Sequence, residues 1–135
     1  MIIVNAENLI LGRMATFVAK QALLGKEVRV INADKAIISG KKSKTISDAF
    51  DARNRGTPAK GPFITKMPDR YVRRVIRGML PYKIAKGAEA YKRVLCYAGI
   101  PDEFKDQQPA EIKGANFEKL PNLKYTTVGE VLKGI

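Results

Sequence analysis

At 135 residues, with 45% hydrophobic and 28% charged side chains, the chain has apolar material for one folded domain, too little for two, and is no disordered tail. No apolar run approaches the roughly 18 residues of a membrane span, and the start lacks the basic-then-apolar pattern of a signal peptide. The net charge of +12 is concentrated: residues 41–93 hold 15 Lys and Arg against 4 Asp and Glu, a self-repelling block that calls for a polyanionic partner, nucleic acid first.

Residues 2–5 are β-branched and predict a strand. Asn8 or a neighbour is placed to cap the helix that follows. There Leu11, Met14, Ala15, Val18 and Ala22 recur at helical spacing, and Gly25 marks the stop. Residues 27–32, with Val28, Val30 and Ile31, predict a second strand. Strand, helix, strand within about 32 residues is a βαβ unit, so the two strands should be parallel and joined by a right-handed crossover. Residues 36–39 predict a brief third strand after a turn at 33–35. A parallel sheet covered by helices is the natural architecture.

A helix is expected from about Thr45, ending near Asn54. Residues 55–68 then carry Gly56, Pro58, Gly61, Pro62 and Pro68 with Lys60 and Lys66 between them. This basic extension is longer than a compact domain keeps without a use, and is expected to be mobile alone and to order on a partner. Asp69 is placed to cap the next helix, which runs to about Leu80. Tyr71, Val72, Val75, Ile76 and Met79 form its apolar stripe, and Arg70, Arg73, Arg74 and Arg77 lie opposite at spacings of three and four. Pro81 ends it. Residues 87–93 predict a short helix and 94–98 a last core strand, with a turn at 99–101. Residues 101–121 are polar and read as a surface arm. Residues 124–127 are extended, and Thr127 and Glu130 have capping-box spacing ahead of Val131 and Leu132. The expected organisation is one domain over 1–135, with a basic extension at about 55–68 and a C-terminal arm at about 101–135.

The chemistry is limited by what is missing. Without histidine there is no His general base, no His-assisted nucleophile and almost no common zinc site. Cys96 has no internal partner; it reads as a small core residue and fits a reducing compartment. Ser39-Gly40-Lys41-Lys42-Ser43-Lys44-Thr45 has the look of a phosphate loop. However, Lys35 stands where the first glycine is needed, and Lys42 where Ser or Thr must follow the Gly-Lys pair. What remains is a glycine and three lysines at a helix N-terminus, a setting that favours phosphate or a solvated turn. Gly12-Arg13 opens the first helix where a dinucleotide fold has a Gly-rich turn, but with a single glycine. Gly12 reads as packing, and Arg13 equally as an RNA contact or a solvated side chain. Asp48 and Asp51 lie three apart on a helix among cations, so salt bridging is expected rather than acid–base work. The arginine face is different. Like charges at i,i+4 repel by a few tenths of a kcal/mol per pair, whereas arginine grips phosphate bidentately and stacks on bases. A membrane-surface helix shares the pattern, but the chain has no Trp and a basic Pro/Gly loop adjoins the helix.

Arg77-Gly78-Met79-Leu80-Pro81, then Gly87 and Val94-Leu95-Cys96-Tyr97, resemble the signature of the universal large-subunit ribosomal protein thirteen family. Leu11-Gly12-Arg13-Met14-Ala15 with Val18-Ala19-Lys20, and Val30-Ile31-Asn32 followed by Ile38-Ser39-Gly40, extend the resemblance. Lys60-Gly61-Pro62-Phe63 and Pro68-Asp69-Arg70 are similar to its archaeal and eukaryotic branch. The lack of a basic C-terminal extension after Leu132 favours an archaeal source. The resemblance implies a three-layer α/β/α fold with a four-stranded parallel sheet of order 3-2-1-4, its strands at 2–5, 27–32, 36–39 and 94–98. It implies a non-catalytic cytoplasmic protein of the large ribosomal subunit that binds large-subunit rRNA, supports assembly and touches neighbouring ribosomal proteins. No cofactor, metal, membrane or small-molecule substrate is expected.

The expected RNA-binding side chains are Arg13, Lys41, Lys42, Lys44, Arg53, Arg55, Lys60, Lys66, Arg70, Arg73, Arg74, Arg77, Lys83, Lys86, Lys92 and Arg93. Phe63, Tyr71 and Tyr82 are the aromatics placed to stack on bases. Replacing Arg73, Arg74 and Arg77 together by Ala is expected to weaken RNA binding with little change in thermal stability. The rival readings are an RNA-binding regulator away from the ribosome and a nucleotide-using α/β enzyme.

Overall fold

The structure is a computed structural model that describes residues 1–121 and 124–135; residues 122–123 of the expected arm lie outside these. In chain order the elements are β1 (Ile2–Asn5), α1 (Leu11–Leu23), β2 (Val28–Ile31), β3 (Ile37–Ser39), α2 (Lys42–Arg53), α3 (Pro68–Gly78), α4 (Ala85–Lys92), β4 (Val94–Cys96), β5 (Tyr125–Thr127) and α5 (Val128–Lys133). The βαβ reading holds. β1 and β2 are parallel, with Ile2 opposite Val28, and α1 crosses between them. Leu11, Met14, Ala15, Val18, Ala19 and Ala22 make its buried face. Gly25 ends it at φ +93°, a left-handed conformation that costs a glycine nothing.

The main sheet has the order β1-β2-β4, all parallel, and β3 leaves it to pair antiparallel with β5. This differs from the expected 3-2-1-4. The outer edge of β1, where the fourth strand should lie, is occupied by the C-terminal arm, whose Ala110 N–H donates to the Ile3 carbonyl at 2.7 Å. β4 instead takes the free edge of β2, where Val28 N–H donates to the Arg93 carbonyl at 3.0 Å and Tyr97 N–H to the Val30 carbonyl at 2.8 Å. Both edges of β2 are then filled, and β3 has no place beside it.

Alternation divides the sheet into two unlike faces. Val4, Val28, Val30, Val94 and Cys96 share one core with α1, α3, α4 and α5. The opposite face has only a small cluster of Ile3, Ile31 and Phe104, backed by Tyr97, and Leu95 there is 38% exposed. Among the described residues, the expected second helical layer does not cover that face. Arg29 lies on it and needs no apolar cover: it donates to the Val28 and Arg93 carbonyls and pairs with Glu27.

The arm is bound more firmly than a surface linker. Ile10 N–H donates to the Ala115 carbonyl, Phe117 N–H to the Asn8 carbonyl, and Arg13 Nη1 to the Gly114 carbonyl at 2.7 Å. Ala115 and Phe104 are buried. These bonds explain why Asn8 does not cap α1. It sits at φ +63° with its carbonyl turned to the arm, and the N-cap position is Ile10. Asp69 is likewise no cap: Pro68 opens α3, where its missing N–H costs nothing, and Asp69 lies within the first turn. The closing helix starts as its spacing predicts, the Thr127 hydroxyl accepting from Glu130 N–H at 3.3 Å.

The run from Pro81 to Gly87 has a packing reason. A Cβ on Gly87 would collide with the Pro81 carbonyl, so only glycine lets α4 start against the end of the α3 turn. That close approach fixes where Lys83 and Lys86 stand relative to α3.

Candidate nucleic-acid interface

The basic residues sit on three consecutive pieces of chain, of which only α3 sends side chains into the main core. α2 has no buried residue. It contacts α5, and of its half-buried Ile46, Ala49 and Ala52 the first packs against Gly134, while Lys41, Lys44 and Arg53 stand in solvent. Lys42 pairs with Glu130 at 3.6 Å. The Thr126 hydroxyl, donating at 2.8 Å, and then the Lys42 ammonium hold the Glu130 carboxyl below its usual range. Asp48 and Asp51, expected to bridge to nearby cations, form no ion pair among the described residues. Lys41, Lys44 and Arg53 therefore meet no carboxylate within ion-pair distance among the described residues.

The extension that follows has no helix or strand, yet it closes on itself. Gly61 N–H donates to the Thr57 carbonyl at 2.6 Å, and Lys60 N–H to the same carbonyl at 3.2 Å. Gly56, at φ +81°, lies so close to Gly61 that a Cβ on it would come within 2.6 Å of the Gly61 Cα. Arg55, Lys60 and Lys66 point outward, and Phe63 is 75% exposed. α2, the end of the loop and α3 then meet around an apolar cleft of about 310 Å³, lined by Ala49, Ala52, Ile64, Thr65, Tyr71 and Arg74. This cleft brings the three basic segments together on one side of the protein.

On α3, Val72 and Ile76 are buried as the stripe requires, and Arg70 and Arg74 are exposed. The four arginines are not equivalent, which corrects the expectation that all stand free. Arg73 turns inward: Nε donates to the Val94 carbonyl at 2.8 Å, Nη2 donates to the Tyr91 carbonyl at 3.1 Å, and the guanidinium lies 4.0 Å from the centre of the Tyr91 ring. Arg73 thus ties α3 to α4 and β4. Arg77 is half-buried and lies 4.8 Å from the centre of the Tyr82 ring. Arg93 Nη1 donates to the Ala22 carbonyl at 2.9 Å, closing the end of α1. Arg13, as noted, holds the arm. These bonds were not legible in the sequence, because an arginine on a polar stripe has the same spacing whether its tip meets solvent or a carbonyl.

Lys83 and Lys86 are exposed just after α3, and Lys92 is exposed at the far end of α4. Among the described residues, Lys42 alone of the sixteen expected contacts takes part in an ion pair. The fold also recruits cations that the sequence pattern did not single out. Lys35 and Lys133 line a cleft of about 490 Å³ with Lys66. They come from chain segments far apart, so no local spacing signals them. Of the three aromatics, Phe63 and Tyr82 are open, whereas Tyr71 is more than half buried and its hydroxyl pKa is raised by that burial. Cys96 lies in the core, and its thiol is pushed up to about 12 by burial, which leaves it unreactive at neutral pH.

A family model described as Ribosomal protein L13 matches residues 1–103. The large ribosomal subunit protein uL13 of Methanosarcina barkeri is 45% identical over 132 residues, covering 97% of this chain and 94% of that protein. That of Methanococcoides burtonii is 44% identical over 131 residues, with the same coverage of 97% and 94%. That of Sulfurisphaera tokodaii is 42% identical over 137 residues, covering 98% of this chain and 92% of that protein.

Proposed function

The chain belongs to the ribosomal protein L13 family, and from that premise we propose that it is a structural, non-catalytic constituent of the large ribosomal subunit in the cytoplasm that binds large-subunit rRNA. The observation that supports this reading most directly is the uncompensated positive face formed by α2, the 55–67 loop and α3. Lys41, Lys44, Arg53, Arg55, Lys60, Lys66, Arg70 and Arg74 are exposed there and meet no carboxylate within ion-pair distance among the described residues. A surface of this kind lowers its own free energy by releasing counterions from a phosphate backbone. Lys83, Lys86 and Lys92 extend the contact along α4. Arg13, Arg73 and Arg93 act by holding the platform in shape. Phosphate contacts position the protein, while selectivity comes from RNA shape and from unpaired bases.

The sheet and α1 serve as the rigid body that presents this face. The N-terminus of α1, where an α/β enzyme would take a cofactor phosphate, is covered by Gly114 and the buried Ala115 of the arm. Neighbouring large-subunit proteins are the remaining partners we propose.

The test is fractionation of native lysate on a sucrose gradient in about 0.5 M salt, a level that strips loosely held cationic proteins from RNA. Co-migration with the large subunit is the expected result. A chain found only at the top of the gradient would refute integration into the particle.

A further inference from the structure

We propose that the clasped loop after α2 is a preformed cup for a single unpaired RNA base, which stacks on Phe63 while its backbone is held by Arg53 and Arg55. This rests on the rRNA-binding reading above and deepens it: it names the nucleotide state that the loop selects. Arg53, Asn54, Arg55, Thr57, Pro62 and Phe63 line a cleft of about 200 Å³. That is smaller than the roughly 300 Å³ at which pockets for drug-sized ligands begin, and suits one flat ring. The cup is built by the loop itself. Two N–H groups converge on the Thr57 carbonyl, and Lys60 N–H also reaches the Thr57 hydroxyl at 3.2 Å. Gly61 is packed so that a Cβ on it would come within 2.6 Å of the Thr57 carbonyl and 2.8 Å of the Arg55 carbonyl.

The contents of the cup point to a base rather than to phosphate alone. Phe63 is 75% exposed, more than any other large apolar side chain among the described residues. An aromatic face left in water beside two arginines is covered well by a nucleobase, because aromatic rings and guanidinium planes are the surfaces on which splayed RNA bases stack. Asn54 adds an amide that makes no hydrogen bond among the described residues and is able to read a base edge. No carboxylate lines the cleft to repel the sugar–phosphate chain. A paired base is inaccessible to such a cup, since both its faces are already stacked.

The chain contains no Trp, so Phe63→Trp places a single reporter indole in the cup of the full-length protein. Purified large-subunit rRNA should quench it, and a random-sequence RNA duplex should not. Phe63→Ala should weaken rRNA binding by about 5- to 150-fold, the range expected from one lost base–aromatic stack, with an unchanged salt slope because no phosphate contact is removed. Phe63→Tyr, which keeps the ring, should bind like the wild type, and Gly61→Ala should bind like Phe63→Ala because it opens the clasp. If the wild type binds rRNA with steep salt dependence while Phe63→Ala binds equally well and the indole is not quenched, the cup is refuted and the ribosomal reading stands. If the wild type does not bind rRNA, that reading fails and the cup fails with it.

Discussion

Arg73 separates the residues that build the basic face from those that use it. Replacing it with Ala removes two hydrogen bonds from a charged donor to the Val94 and Tyr91 carbonyls and the guanidinium stacked on Tyr91. Hydrogen bonds to charged groups contribute about 1.5–3 kcal/mol each, and a cation–π contact on an open surface about 0.5–1. The Arg73 side chain is only half-buried, and its contacts form one unit, so they do not add in full. A loss of about 2–4 kcal/mol follows. For a chain of this size that lowers the unfolding midpoint by roughly 8–16 °C. Arg73→Lys should recover less than half of it, because one ammonium cannot reproduce a fork that bonds two carbonyls. Arg70→Ala and Arg74→Ala are the internal controls. Both side chains are exposed and bonded to nothing among the described residues, so their stability should stay within about 0.5 kcal/mol of wild type. Together they should reduce the slope of log affinity for rRNA against log salt by roughly 1–2. The assay pairs thermal unfolding by circular dichroism with rRNA filter binding across a salt series. A midpoint for Arg73→Ala within 2 °C of wild type (about 0.5 kcal/mol) would refute this division of labour. So would an equal loss of stability in Arg70→Ala with Arg74→Ala.

Four further outcomes follow from the same structure. Gly87→Ala should destabilise by about 1–3 kcal/mol or more in urea unfolding, since its Cβ meets the Pro81 backbone, whereas Gly78→Ala, with nothing within 4 Å of the added carbon, should be neutral or slightly stabilising; equal effects would show that the glycine spacing is not set by packing. Cys96 should resist iodoacetamide in the native protein and react only on unfolding, its thiol being buried and its pKa raised to about 12. The raised pKa also sets a pH dependence: the stability due to the neutral buried thiol is complete below the ordinary value of 9.0 and is lost as pH rises from there toward about 12. Urea midpoints should therefore fall between pH 8 and 10.5 more steeply in wild type than in Cys96→Ala, and parallel slopes would refute it. Finally, wild-type affinity for large-subunit rRNA should fall steeply with salt, as expected for several phosphate contacts, and a flat response would refute the assignment of the basic face.

The parts of the fold that were legible in the sequence are those governed by local periodicity. α1 shows its buried face at every third or fourth position, and β2 its apolar alternation, so the βαβ unit and the parallel direction of its strands could be derived from spacing alone. The sheet order could not. It depends on which segment reaches the open edge of β1, and the winner is the polar stretch around Ala110, which carries no strand periodicity and holds its place through backbone hydrogen bonds. Backbone donors are the same in every residue, so a segment that pairs by them alone leaves no trace in its side chains. The same limit separates β3 from the main sheet: its residues suit either partner, and only the return of β5 decides between them.

The basic face was legible in charge and illegible in detail for a related reason. Net positive charge is a sum over residues and survives ignorance of where each tip points. The role of a single arginine depends on whether a carbonyl lies within its reach. Arg73 and Arg74 are adjacent, equally charged and on one helix, yet one turns to the end of α4 and the other to solvent. The helix geometry accounts for the choice. Arg73 immediately follows the fully buried Val72, so its side chain leaves α3 at the edge of the core, where the last turn of α4 ends and β4 begins. Carbonyls where a helix ends attract a guanidinium; α4 supplies that of Tyr91, since Gly87 lets it start tight against Pro81, and β4 supplies that of Val94. The arginine run and the glycine seventeen residues from its start are thus parts of one packing arrangement, which converts one cation of the patch into a structural brace and leaves Arg70 and Arg74 exposed to solvent.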